Sequence, residues 1–457
     1  MGGPQGERST ASTGARVVLA TFGSFGDLHP YLAVALALRA RGHRVTLATS
    51  ATYRSKVEAL GLDFHATRPD LQPEPDLVRR VMDLYKGPEV VLREIFLPAL
   101  RDMYVDLLPA VRGADLIVSH PLAFAARLAA EMQGIRWASS VLAPLSFFSA
   151  HDPPVLPNAV WLSALRPLGP LFHRALLAVA RWSIGSWARP YHQIRAELGL
   201  PPIPNPIFAG QHAPDLVLAL FSPVLGRPQP DWPARTCLTG FAFHDEDGAP
   251  GLSDELARFL DGGPPPLVFT LGTSGVLDPG RFYQESAAAA RLLGRRAVLL
   301  VGRAPAAPPP DPLPAGVAAF DYAPFSALFP RAAAVVHQGG VGTTGQALRA
   351  GVPMLVVPFG HDQPDNADRV RRLGVARVLP RARYTAARVA AALRPLLDDA
   401  RYRGRAAAVG RRVSAEDGAA TACAALERML GRAGRVNTPT SAGTHRGVDT
   451  PRSPVTS

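Results

Sequence analysis

Hydrophobic positions in this chain fall in short blocks broken by glycine-, proline- and polar-rich segments, the rhythm of strands alternating with helices. Arg16-Val-Val-Leu-Ala-Thr-Phe22 is a brief apolar run that ends in the glycine-rich loop Gly23-Ser-Phe-Gly-Asp-Leu-His-Pro30. Bounded this tightly, it reads as a buried strand. A helix is expected over Tyr31–Ala40, with Pro30 at its start, where a missing N–H is tolerated. Arg41-Gly-His43 turns the chain, and Arg44-Val-Thr-Leu-Ala48 is a second strand. Such a βαβ unit implies a parallel sheet covered by helices. Asp115-Leu-Ile-Val-Ser119 is a further buried strand, and the stretch from about Pro153 to Pro214, rich in Trp, Leu and Pro, reads as mostly helical and suited to line an apolar cleft.

The rhythm then breaks and restarts. Asp245-Glu-Asp-Gly-Ala-Pro250 and Asp261-Gly-Gly-Pro-Pro-Pro266 bracket a short helix, Ser253–Leu260, and mark a linker. Beyond it, strands are expected at Leu267–Leu271, Ala297–Val301, Ala333–His337 and Met354–Val357, and helices at Arg281–Leu293, Thr343–Ala350, Asn366–Leu373 and Thr385–Leu397. The fold class is therefore α/β: two Rossmann-like, doubly wound parallel-sheet domains facing an interdomain cleft. The expected organisation is a leader over 1–15, an N-terminal Rossmann-like domain over 16–245, a linker over 246–266, a C-terminal Rossmann-like domain over 267–414, a helix over 415–433 that crosses back to the first domain, and a tail over 434–457.

Composition changes this picture little. At 457 residues, 47% hydrophobic and 19% charged, the chain is long enough for two cores and too apolar to be disordered. No run approaches the roughly 18 apolar residues of a spanning helix, and the first residues lack a signal peptide's pattern, so a cytoplasmic location is expected. The net charge of +12 is carried almost wholly by arginine, with Lys56 and Lys86 the only lysines. The arginines are scattered and form no basic block or aromatic-interleaved stripe, which argues against nucleic acid as a partner. What survives is a weak pull towards phosphorylated ligands or a peripheral contact with an anionic inner membrane face. Cys237 and Cys423 form neither a metal spacing nor a disulfide framework.

Candidate chemistry concentrates at strand ends. After the strand ending at His337, the glycines Gly339, Gly340 and Gly342 let the backbone approach a ligand, and Thr343 and Thr344 open a helix whose free N–H groups and dipole favour an anion. His337 can donate to an anionic oxygen. A plain strand–turn–helix would look similar. Asp362 and Gln363, just past the next strand, tilt the balance: a carboxylate beside an amide matches the hydroxyls of a sugar. The structural alternative is that Asp362 caps the helix near Asn366.

The pattern His-x-Gly-Gly-x-Gly-Thr, then Gly-Val-Pro, then Asp-Gln-x-x-Asn-Ala, spanning His337–Ala367, resembles the donor signature of family 1 UDP-glycosyltransferases of GT-B fold. Gly23–Pro30 is similar to the corresponding loop of the bacterial natural-product, rhamnolipid and sterol-type branch, as is Phe148-Ser-Ala-His-Asp-Pro-Pro154. The resemblance implies an inverting transfer of a hexose or deoxyhexose from a nucleotide-sugar donor to a lipophilic hydroxyl acceptor, with no cofactor and no metal. It implies that His337 and the Gly342–Thr343 backbone hold the diphosphate, that Gly272-Thr273-Ser274 also touch phosphate, and that Asp362 and Gln363 hold the donor sugar. Tyr322-Ala323 falls where the family stacks the base, and Ser24 falls on the donor side of the first loop.

Transfer needs a base for the acceptor hydroxyl. Asp27 is the candidate; the alternative is that it caps the helix after Pro30. His29 is a rival with the more suitable ordinary pKa. His120, at another strand end, could pair with Asp27 as a dyad, reversed relative to the His–Asp pair of plant members. Many UDP-sugar users carry a glutamate after the glycine loop for the ribose diol. The matching place here is Gly345-Gln346, which favours a dTDP-deoxysugar such as dTDP-rhamnose. The alternative function is a GT-B-like protein that binds nucleotide-sugar without turnover, which a donor-hydrolysis assay would distinguish.

Overall fold

The computed structural model describes residues 14–71, 74–245, 251–302, 309 and 311–431. The leader before residue 14, the start of the linker at 246–250 and the tail over 434–457 lie outside them. The chain builds two parallel sheets. The first holds β1 (Arg16–Ala20), β2 (Arg44–Thr49), β3 (Asp63–Ala66), β4 (Leu116–Ser119), β5 (Arg136–Val141), β6 (Val217–Ala219) and β7 (Thr236–Leu238) in the order β3-β2-β1-β4-β5-β6-β7. The second holds β8 (Leu267–Thr270), β9 (Ala297–Leu300), β10 (Val317–Phe320), β11 (Ala334–His337), β12 (Met354–Val356) and β13 (Ala376–Val378) in the order β10-β9-β8-β11-β12-β13. Each order reverses direction once, beside β1 and β4 in one sheet and beside β8 and β11 in the other. Ligands of doubly wound sheets lie outside the strand carboxyl ends at these switch points.

Strand pleating explains why the apolar blocks are continuous. In β1, Val17 and Leu19 pack with Leu28, Leu32 and Leu38 on one face, while Val18 and Ala20 pack with Phe96, Leu107 and Leu128 on the other. A sheet covered on both faces needs apolar residues at every position. Strands β3, β5, β6, β7, β10 and β13 escaped the sequence pattern. β6 has three residues, and β5 carries two serines inside its run.

Five helices position the site: α1 (Phe25–Ala40), α2 (Pro75–Val81), α3 (Val341–Ala350), α4 (Gln363–Arg372) and α5 (Gly418–Gly431). Three begin earlier than the sequence suggests. Helix α1 opens at Phe25 and contains Pro30, because Ser24 and Asp27 form a capping box that starts the helix ahead of the proline. Helix α3 opens at Val341, two residues before Thr343, with Gly340 at its cap. Helix α4 opens at Gln363, with Pro364 in its first turn. Helix α5 returns to the first domain, where Cys423 and Leu426 join the core of α1 and Glu427 pairs with Arg41 at 2.8 Å. The described residues include no helix long and apolar enough to cross a membrane.

Candidate active site

The first-domain half of the site is built at the β1/β4 switch. Asp27 is the third residue of α1, and its Oδ2 accepts the Ser24 N–H at 2.7 Å. Gly23 sits behind it with φ +123°; a Cβ there would lie 2.2 Å from Asp27 Oδ2, so only glycine fits. Its neighbour strand delivers His120, whose backbone N–H donates to the Ala20 carbonyl at 2.9 Å. His120 Nδ1 accepts the Leu122 N–H at 3.2 Å, which leaves the proton on Nε2, 3.4 Å from Asp27 Oδ1. The two side chains are thus brought together as a dyad, with Asp27 partly open to the cleft and His120 almost fully enclosed.

His29 is elsewhere. Two residues along a helix is roughly 200° of rotation, so it cannot share the face of Asp27. Its ring lies 5.4 Å from those of Phe25 and His244. The structure sets it apart from the Asp27–His120 pair. Ser24 is the N-cap of α1, with Oγ accepting the Gly26 N–H at 3.2 Å.

The second-domain half gathers at the ends of β8, β11 and β12. Gly339 has φ +94°, and a Cβ there would lie 2.8 Å from Val356 and 3.2 Å from the Gln363 carbonyl. Gly340 offers no capping side chain, so the cap residue leaves the first-turn N–H groups of α3 unsatisfied. Gly272, at φ +61°, lies against Gln338 and Thr343, which places the loop after β8 beside the glycine loop. The side chains of Thr273 and Ser274 lie outside the described residues. Tyr322, beyond the carboxyl end of β10, is 57% exposed, and its neighbour Ala323 is buried.

His337 departs from expectation. Its ring is fully buried, Nδ1 accepts the Gly339 N–H at 3.1 Å, and Nε2 lies 3.4 Å from Met354 Sδ. Burial drives its pKa down to about 3, so the ring is neutral. The last residue of a central strand points into the layer beneath the sheet's edge. The ring therefore shapes the loop, and its expected hydrogen bond to an anionic oxygen is not available in this arrangement.

Asp362 stands at the cap position of α4 but makes no capping bond; its Oδ2 accepts the Asn366 amide at 2.7 Å. Gln363 Oε1 accepts the N–H groups of Phe359 and Gly360 at 2.8 and 3.1 Å, which fixes the loop around Asp362. Two residues of this half carried no individual sequence signal for a site, Gln338 and His361, and Asn366 carried one only as a motif position. Asn366 also donates to the Gly339 carbonyl at 3.0 Å, joining the two loops. Gln338 Oε1 and Asn366 Oδ1 are buried without a partner. Among the described residues no three His, Cys, Asp or Glu side chains gather as a metal site.

The halves meet at their helix starts. A Cβ added to Gly342 in α3 would lie 3.8 Å from Gly26 in α1. Two positive dipole ends therefore converge, a place that favours negative charge. The Asp27 charge is felt across the cleft. Burial, and then that charge, push Asp362 up to about 7, against the lowering effect of the Asn366 amide. Protein atoms surround Asp362 closely, although part of its surface still opens to the cleft.

A pH dependence follows. The unfolded carboxyl loses its proton near 3.8, the folded one near 7. Between these values the folded state holds a proton that the unfolded chain has lost, so stability falls as pH rises through that window. Thermal melting from about pH 4 to about pH 8 should show the wild-type midpoint dropping relative to Asp362→Asn, then levelling above about pH 7. Parallel curves for the two proteins would refute it.

Behind the donor loops, α4 is clamped to the first domain. Arg369 is 3% exposed; its Nε donates to Asp365 Oδ2 at 2.7 Å, and its Nη1 pairs with Asp152 and donates to the Leu225 carbonyl at 3.2 Å. Asp365, fully buried, also accepts the Val155 N–H at 2.9 Å.

Comparisons with known proteins agree with this architecture. Residues 17–136 match the glycosyltransferase family 28 N-terminal domain, and residues 299–429 match the erythromycin biosynthesis protein CIII-like C-terminal domain. The chain is similar to O-mycaminosyltylonolide 6-deoxyallosyltransferase of Streptomyces fradiae, with 36% identity over 93% of this chain and 100% of that protein. Among solved structures, the glycosyltransferase of kitacinnamycin superposes with a TM-score of 0.69 at 24% identity, over 91% of this chain and 99% of that one. The glycosyltransferase VinC, in complex with dTDP, superposes with a TM-score of 0.63 at 21% identity, over 91% of this chain and 100% of that one.

Proposed function

Since the chain belongs to the family 1 glycosyltransferases of GT-B fold, hexosyltransferases that use nucleotide-sugar donors, we propose that it moves a deoxyhexose from a dTDP-sugar to a hydroxyl of a lipophilic natural product. The acceptor class follows the tylonolide named for its Streptomyces fradiae relative. The observation that carries the reading is the meeting of the α1 and α3 helix starts, with Asp27 on one side and Asp362 and Gln363 on the other.

In this mechanism Asp27 takes the proton of the acceptor hydroxyl, His120 orients the carboxylate, and the hydroxyl oxygen attacks the anomeric carbon opposite the leaving group. The bond from that carbon to the diphosphate oxygen breaks, with inversion. The electron pair leaves with the diphosphate, whose growing charge is met by the N–H groups of Val341, Gly342 and Thr343. Asp362 and Gln363 hold sugar hydroxyls, and Tyr322 offers a ring to the base. The helix starts take the place a divalent ion would occupy, so EDTA is expected to leave the rate unchanged. A donor panel of dTDP-deoxyhexoses and UDP-hexoses, offered with macrolide and sterol acceptors, tests the reading; no transfer from any donor would sink it.

Two neighbours of the glycine loop support dTDP over UDP. A Cβ at Gly345 would lie 3.1 Å from the Phe241 ring, so a glutamate there would have to push that ring aside. Gln346 is held by Asp245 at 3.2 Å and by Arg349 at 2.9 Å, and Asp245 is itself paired with Arg349 at 2.7 Å. Asp245, the carboxylate beside Gln346 among the described residues, is thus already engaged, and a deoxyribose does not ask for one. Titration calorimetry should find dTDP bound about tenfold more tightly than UDP, the worth of about one unmet hydrogen bond. Equal or reversed affinities would overturn the dTDP assignment and leave the transferase reading standing.

A further inference from the structure

The loop between β12 and α4 touches the first domain through a residue in an unusual conformation. His361 has φ +56°, one of two non-glycine residues with positive φ among those described. Such strain in a residue beside a site points to a task for its side chain. The ring is partly buried and lies beside the turn that carries the Val81 carbonyl, at the end of α2 in the first domain. A Cβ added to Gly87 would lie 3.6 Å from His361 Cε1, and one added to Gly360 would lie 3.4 Å from the Met82 carbonyl. Met82 carries the contact deeper. It is 4% exposed and packs in the core of the second domain with Phe269, Phe282 and Phe359, flanked by Val78. A short segment of the first domain is thus embedded in the second, immediately beneath the loop that presents Asp362.

We propose that His361 is a positioning residue: its ring ties the Val78–Gly87 segment to the donor loop and so sets the spacing at which Asp27 and Asp362 face one donor sugar. The inference rests on the glycosyl-transfer reading above. A turn-forming role alone would be served better by glycine, which adopts positive φ without strain. His361→Gly therefore separates the two roles. If the ring positions the domains, the variant keeps donor affinity within about twofold while kcat falls about five- to tenfold, the ordinary size of a single-site change in packing. Amide hydrogen exchange at Val78–Gly87 should accelerate in the same variant. Met82→Ala, which loosens the segment from its other anchor, should give the same split between kcat and donor affinity. Wild-type kcat in His361→Gly, or unchanged exchange at Val78–Gly87, overturns the proposal. If the wild-type protein transfers no sugar, the functional reading falls, and the exchange measurement alone then decides whether His361 holds the segment.

Discussion

Asp27→Asn is expected to lower turnover about 10²- to 10⁴-fold while leaving donor affinity, measured by calorimetry, near the wild-type value. The geometry separates the two functions of this carboxylate. Oδ2 is engaged by the Ser24 N–H in the capping box, so it is not free to act as base. Oδ1 faces His120 Nε2 and the cleft. An asparagine can keep an oxygen on Ser24, so the helix start should survive at a cost of about 1 kcal/mol or less. What it loses is the capacity to take a proton. His120→Ala should be the milder change, because His120 holds its proton on Nε2 and can orient Asp27 but not replace it as base in that tautomer. A larger loss in His120→Ala than in Asp27→Asn would reverse the assignment. Turnover preserved in Asp27→Asn would remove Asp27 as the base altogether.

The second large effect is on stability. Arg369→Met should destabilise the protein by about 3–5 kcal/mol in chemical denaturation, the penalty for leaving a buried charge without its partner. Asp365 is fully buried and would keep only the Val155 N–H. Asp152 would lose the same guanidinium, though Arg372 remains 3.5 Å away. Arg369→Met combined with Asp365→Asn should recover most of the loss, since removing both members of a buried pair leaves no stranded charge. The site should feel the single variant as well. Helix α4 carries Gln363 in its first turn and Asp362 at its cap, and the clamp ties that helix to the loop containing Asp152 and Val155. An unfolding free energy within about 1 kcal/mol of wild type would show that the clamp contributes little.

Much of this site was legible in order along the chain. His337 to Asn366 announced a glycine loop and a carboxylate–amide pair at consecutive strand ends, and both lie where parallel strands deliver them. Gly339 could be singled out because positive φ and close approach both demand glycine. The roles of individual side chains were less legible. His337 and His29 looked chemically apt, yet one is sealed beneath the sheet edge and the other turns to His244. Composition and spacing name a residue without giving its direction. Helix starts were misplaced for a related reason: Pro30 suggested a boundary, while the Ser24–Asp27 box, a bond between side chain and backbone, set the true one.

The sequence by itself determined the architecture and the location of the chemistry. Apolar periodicity dictates which faces are buried, and glycine and proline dictate where the backbone can turn, and both are local properties. Only the tertiary structure decided which groups act together. Asp27 and His120 are neighbours because β1 and β4 pair at a switch point, although 93 positions separate them in the chain. Gly26 meets Gly342, Arg369 pairs with Asp152, and His361 packs beside Gly87 because the two domains close on one another. Each of these last three contacts joins segments of different domains. Their energies depend on distance and burial in three dimensions, which no local pattern encodes.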